Sequence, residues 1–167
     1  MIKTFNSLLV TMLGLGKIKF MPGTVGSLVT TIFLFYLFHS LNVPSNIVLI
    51  GLIIIFIYSF YAISTHIEDS KNKDPGEIII DEFLGQSIPI YLYEISHGTT
   101  KEINEAIVYY VLFFILFRYF DIMKPFPVNF FDKNFKNSFG VIMDDIFAGL
   151  YVVLTLICFM VVKSYVL

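Results

Sequence analysis

Tryptophan is absent from the 167 residues, cysteine and arginine each occur once, and only three histidines are present. One cysteine, Cys158, excludes a disulfide framework and a thiolate metal site, and it reads as a buried, inert thiol. His39, His66 and His97 stand far apart without ligand spacing, which argues against a histidine-bound transition metal. Charge is scarce too: 14% of residues are charged, against about 25% in soluble domains. The net charge of -2 is small and mixed in sign, so nothing suggests a nucleic-acid partner. What remains is grease, with 57% hydrophobic residues and a mean hydropathy of +0.81, and it places the chain in a membrane as one all-α domain.

The apolar residues fall into segments. Residues 46–65 and 145–162 are uncharged or nearly so and long enough to cross, as is 106–117 with its partly polar continuation. Residues 27–41 are short against the roughly 20 that a bilayer requires. Residues 78–95 open with Asp81 and Glu82, carry Gln86 and are broken by Pro89, so this segment must hide its polar face against protein or water. The first residues lack a small-x-small cleavage site and are not read as a cleaved signal. Their stripe Ile2, Phe5, Leu8, Leu9, Met12 and Leu13 suits a helix in the membrane interface or against the bundle. The expected fold is therefore a multi-helical membrane bundle with short or re-entrant segments.

Five crossings that start inside put the loops at 1–26, 66–77 and 118–143 on one side. Those loops carry nine of the eleven basic residues: Lys3, Lys17, Lys19, Lys71, Lys73, Arg118, Lys124, Lys133 and Lys136. Lys101 and Lys163 fall opposite, so the basic side is expected in the cytoplasm. The polar motifs then meet at one face.

Two of those motifs carry chemistry. Residues 117–149 hold Arg118, Asp121, Lys124, Asp132, Asp144 and Asp145 between apolar flanks, where charges are costly to desolvate. On a helix Arg118, Asp121 and Lys124 share a face, and Pro125 and Pro127 stop the helix beyond them. With Asp81 and Glu82, the acids at 121, 144 and 145 stand at the ends of three helices, and carboxylate oxygens of this kind suit magnesium. Neighbours in a helix point about 100° apart, so one member of each pair Asp81/Glu82 and Asp144/Asp145 is expected to face an ion and the other to support it. Plainer readings exist: Asp144 as a helix cap, and Arg118 with Asp121 as a structural ion pair. Five acids and two cations on otherwise apolar segments exceed what capping requires. The second motif, residues 22–27, reads Pro-Gly-Thr-Val-Gly-Ser at a helix start, where Gly23, Thr24 and Ser27 offer free amides and hydroxyls to a phosphate. It is not a Walker loop, and a turn with an N-cap is the bland alternative.

Four blocks, PGTVGSL at 22–28, KDPGEIIIDEFLGQ at 73–86, FRYFDIMKPFP at 117–127 and GVIMDDIFAG at 140–149, resemble the phosphatidylglycerophosphatase A family of bacterial membrane lipid phosphatases. The chain departs from that pattern at Lys19, Met123, Phe126, Asn137 and Ser138, which alters packing and loop shape rather than charge. The resemblance implies removal of the phosphomonoester of phosphatidylglycerophosphate to give phosphatidylglycerol, with magnesium as cofactor and a phospholipid in the bacterial inner membrane as substrate. Under it, Asp81, Glu82, Asp121, Asp144 and Asp145 supply metal ligation and catalysis, while Arg118, Lys124, Gly23, Thr24 and Ser27 bind phosphate. The rival from another class is a small proton- or cation-coupled transporter, which would place its acids along the bilayer midplane.

Overall fold

The computed structural model describes residues 2–68, 76–97 and 103–166. Lys71, Lys101 and Lys73–Pro75, the last opening the second sequence block, lie outside the described residues. Among those described, seven α-helices and no strand occur: α1 (Ile2–Val10), α2 (Pro22–Phe35), α3 (Ser45–Glu68), α4 (Ile80–His97), α5 (Ile103–Met123), α6 (Val128–Asn134) and α7 (Ser138–Val166). A π-helical turn, Tyr36–Ser40, extends α2. Four segments are long and apolar enough to cross a membrane, namely Pro22–Ser40, Ser45–Glu68, Ile103–Met123 and Ser138–Val162.

Contacts between helices fix their directions. Gly26 packs on Ile79, Phe33 on Phe83 and His39 on Glu94, so α2 and α4 run parallel. Gly85 and Gly149 meet, and Asp81 lies near Asp145, so α7 joins them. Ser64 bonds Ser138, and Arg118 bonds Ser27 while Tyr110 meets Phe35, which makes α3 and α5 antiparallel to the other three. The start of α2, the end of α3, the start of α4, the end of α5, all of α6 and the start of α7 therefore share one end of the bundle. Each traverse returns its polar motif to that end.

At the centre lies α4, the expected ambiguous segment. Ile79, Ile80, Phe83, Leu84, Gln86, Ser87 and Ile90 along it are all buried, so protein covers its polar face. Pro89 does not break it: the helix runs on to His97. A proline frees the carbonyl four residues earlier, here that of Gly85. That carbonyl lies against Gly149 of α7, where any Cβ would collide with it, and a Cβ on Gly85 would strike the Asp145 carbonyl in turn. Two bare backbones thus close over the gap that proline leaves, and the same closeness sets Asp145 beside the start of α4.

Other boundaries differ from the sequence reading for equally local reasons. α2 begins at Pro22 rather than near residue 27, because proline at N1 needs no donor, and the extra turn gives the segment spanning length. α7 begins at Ser138, where Asn137 Oδ1 accepts from Gly140 N at 3.1 Å, so Asp144 sits in its second turn and is not the cap. Cys158 is exposed on the flank of α7 among exposed Leu154, Phe159 and Val162, a lipid-facing strip rather than core. α1 turns Ile2, Phe5 and Leu8 outward, while its buried Asn6 donates to Thr65 Oγ1 at 2.6 Å and accepts from Tyr58 Oη at 2.7 Å. These bonds, with Val10 and Leu9 packed beside Ala62 and Ile63, hold the helix to α3 while Ile2, Phe5 and Leu8 stay exposed, the arrangement of an interfacial helix.

Candidate active site

A cleft of about 350 Å³ opens at the shared end, lined by six carboxylates, Asp81, Glu82, Asp121, Asp132, Asp144 and Asp145, against two lysines, Lys124 and Lys136. Arg118, behind the wall, pairs with Asp121, and the remaining excess of acids in a largely buried site is costly to leave uncompensated.

Three of the acids converge. Asp81 and Glu82 in the first turn of α4 and Asp145 in the second turn of α7 each offer an oxygen, and these oxygens lie within 4.8 Å of one another. Asp81 Oδ1, Glu82 Oε2 and Asp145 Oδ1 are buried with no hydrogen-bond partner. Although neighbours on a helix point about 100° apart, Asp81 and Glu82 both bring an oxygen to this point. At a helix start, the two side chains approach one point from different sides because α2 makes room: Gly23 has no Cβ, and one placed there would collide with Glu82 Oε1. Orphaned oxygens from three carboxylates form a donor set that fits a hard divalent cation.

For the other pair, one member converges and one supports. Asp145 joins the cluster, whereas Asp144 Oδ2 accepts from Lys124 Nζ at 2.8 Å and Asp144 Oδ1 accepts from Asp145 N at 3.1 Å. Lys124 lines the same cleft as Asp121, but its ion pairs are with Asp132 and Asp144. It follows the last residue of α5 with φ +43, in the left-handed region, so the chain turns there before Pro125. This turn aims Nζ at both Asp144 and Asp132, each at 2.8 Å. Partial burial works against the Lys124 ammonium, yet Asp144 and Asp132 outweigh it and hold its pKa above the ordinary lysine value. Asp132 also feels desolvation first, but Lys124 more than offsets it and keeps the carboxyl below its usual range.

Behind the cleft stands the arginine. Its Nη1 contacts Asp121 Oδ2 at 2.7 Å and reaches Ser27 Oγ at 3.5 Å, while Ser27 Oγ donates to Gly23 O at 2.9 Å. Arg118 Nε and Thr24 Oγ1 are buried without partners. Gly23, Thr24 and Ser27 thus lie in the first two turns of α2, with Gly23 and Ser27 beside Arg118, and only Gly23 of the three lines the cleft itself. Gln86, one turn deeper on α4 than Glu82, is fully buried and neither end of its amide has a partner.

In the sequence Asp132 stands only as one more charge within 117–149, Lys136 as a loop cation and Gln86 as a polar residue of an apolar segment, none with an expected role at the site. Gln86 carried a usable signal, an amide four residues after Glu82 in a segment otherwise apolar there. Asp132 showed as a charge between apolar flanks, but nothing local placed it or Lys136 at the cleft, because they follow the turn at Lys124.

Fold and site together define a helical membrane-type bundle with a buried carboxylate cluster at one end. The family model for phosphatidylglycerophosphatase A matches residues 8–160, and the chain belongs to that family. It is 38% identical over 141 residues to a phosphatidylglycerophosphatase A of Haemophilus influenzae, covering 84% of this chain and 80% of that one. It is 31% identical to a protein of Bacteroides thetaiotaomicron named a putative phosphatidylinositol-3-phosphatase, covering 83% of this chain and 82% of the relative. To the phosphatidylglycerophosphatase A of Escherichia coli it is 29% identical, covering 81% and 72%. No solved structure matches the chain.

Proposed function

We propose that the cleft hydrolyses the terminal phosphomonoester of phosphatidylglycerophosphate, releasing phosphatidylglycerol and phosphate, with magnesium held by Asp81, Glu82 and Asp145. The observation that carries this reading is the trio of buried, unpartnered carboxylate oxygens in a cleft that also holds Lys124. Family membership makes the chain a phosphoric monoester hydrolase acting on a phospholipid. A transporter would need acids along the bilayer midplane, whereas these gather at one end of the bundle.

Bound there, the ion would act as a Lewis acid on the phosphoryl oxygens and make coordinated water more acidic. The chain supplies the rest. Lys124 has three donors and gives two to Asp132 and Asp144, which leaves one for a phosphate oxygen. Arg118, fixed by Asp121 just behind the cleft, adds positive charge that would lower the cost of phosphate oxygens entering beside the acids. In the net reaction water forms a bond to phosphorus, the bond to the glycerol oxygen breaks, and that oxygen takes a proton.

Phosphate release from detergent-solubilised protein tests this reading. Phosphatidylglycerophosphate is expected to be turned over with magnesium and not with EDTA. No release from any lipid monoester, undiminished release by metal-stripped protein in EDTA, or faster release from a phosphatidylinositol monophosphate would each displace the corresponding part of it.

The cleft is proposed to face the cytoplasm, since Lys3, Lys17, Lys19, Arg118, Lys124, Lys133 and Lys136 all belong to its end of the bundle. With Cys158→Ala as background, Asn134→Cys on exposed α6 should resist a membrane-impermeant thiol reagent in intact cells and react after permeabilisation. Labelling from outside would reverse the orientation.

A further inference from the structure

Lys136 is the one cleft-lining cation that makes no ion pair among the described residues. Lys124 is bound to two carboxylates, whereas Lys136 is exposed at the cleft wall and close enough to Asp132 to lower its pKa without contacting it. Its backbone is held in place. Phe135, just before it, packs on Phe131 at 5.8 Å and Phe139 at 5.6 Å, and Phe131 stacks on Phe147 of α7 at 4.8 Å. The Phe135 carbonyl presses on Gly140, where no Cβ fits, and Asn137, just after, caps α7. A free ammonium therefore rises from a rigid turn at the edge of a site otherwise rich in carboxylates.

The depth of that turn can be read from its surroundings. Ile122, Met123, Phe126, Phe130 and Phe139 are exposed around α6 and mark where the apolar belt of the bundle ends. Lys136 stands at this border, the level at which the phosphodiesters of a bilayer lie. The substrate of the proposed reaction carries two phosphates, a terminal monoester and an internal diester next to the acylated glycerol. With the monoester at the Asp81, Glu82 and Asp145 cluster, the diester is left at the membrane surface.

We infer that Lys136 binds the internal phosphodiester of the lipid and so selects substrates that carry an anionic group between the reacting phosphate and the acyl chains. The inference rests on the phosphatase reading above and assigns Lys136 to substrate binding rather than chemistry.

The test measures KM and kcat for phosphatidylglycerophosphate, and inhibition constants for phosphatidylglycerol and for inorganic phosphate, in the wild type, Lys136→Gln and Lys136→Arg. Phosphatidylglycerol offers the diester alone, and phosphate offers only what the acid cluster would hold. For Lys136→Gln, KM and the phosphatidylglycerol inhibition constant should each rise about tenfold, as for loss of one charge-assisted bond. The phosphate inhibition constant and kcat should stay within about twofold, and Lys136→Arg should restore most of the loss. Unchanged KM in Lys136→Gln, or a parallel rise in the phosphate inhibition constant, overturns the inference. If the wild type itself releases no phosphate from this lipid, the underlying phosphatase reading fails instead.

Discussion

Asp145→Asn is expected to lower phosphate release by about 10³-fold while leaving the protein folded and, without metal, harder to melt. The two effects have one cause. Asp81, Glu82 and Asp145 each bring an oxygen within 4.8 Å of the others' and each keep a buried oxygen without a hydrogen-bond partner, a crowding of carboxylates that costs stability and that a divalent cation, if held there, would relieve. Removing one charge relieves that repulsion and, on the proposed reading, removes a magnesium ligand as well. Magnesium should therefore stabilise the wild type by about 2.7 kcal/mol at a concentration 100 times its dissociation constant, and raise its melting temperature accordingly. That rise should vanish in Asp145→Asn, Asp81→Asn and Glu82→Gln. It should persist in Asp132→Asn, whose carboxylate serves Lys124. A magnesium-dependent rise that survives all three substitutions would place the ion elsewhere, and full turnover by Asp145→Asn would remove the cluster from the mechanism.

The trio could not be read from spacing alone. Sequence periodicity located the acids at helix ends and returned them to one face, because alternating traverses of apolar length leave few other arrangements. It did not show how Asp81 and Glu82 share a point, since about 100° of separation matters less where the neighbouring helix has a glycine at the contact, here Gly23. Pro89 was read as a break because the rule considers one helix at a time. The compensation comes from Gly149, sixty positions along the chain, whose bare backbone covers the carbonyl of Gly85. Asp144 was open to a capping role while the start of α7 was placed too late. Asn137 takes that role and frees Asp144 for Lys124. In each case the local signal was present, and a partner distant in sequence decided its meaning.

Lys124→Met should be the most disruptive single change at the cleft outside the trio. Methionine keeps the length of the apolar stem, so the loss reads the ammonium rather than the packing. It strands Asp144, whose side chain is 11% exposed, and Asp132 at 24%. Removing one partner of a buried pair costs about 3–5 kcal/mol, and partial solvation here should reduce that to about 2–3 kcal/mol. The pH dependence follows from the directions of the two shifts. The raised Lys124 pKa gives stability that is fully present below the ordinary lysine value and lost as pH rises through the folded one. The depressed Asp132 pKa gives stability that is present above the ordinary aspartate value and lost as pH falls through the folded one. The deficit of Lys124→Met should thus hold up to about pH 9 and shrink above it, and on the acid side it should shrink as the two carboxylates that Lys124 pairs take up protons. Adding Asp144→Asn should recover at least half of the stability by removing a stranded charge, but it cannot return the ammonium's free donor to phosphate. Turnover in the double variant should remain about 10²-fold below wild type. Recovery of activity together with stability would reduce Lys124 to a counter-ion for Asp144, and no loss of stability in the single variant would contradict the two ion pairs themselves.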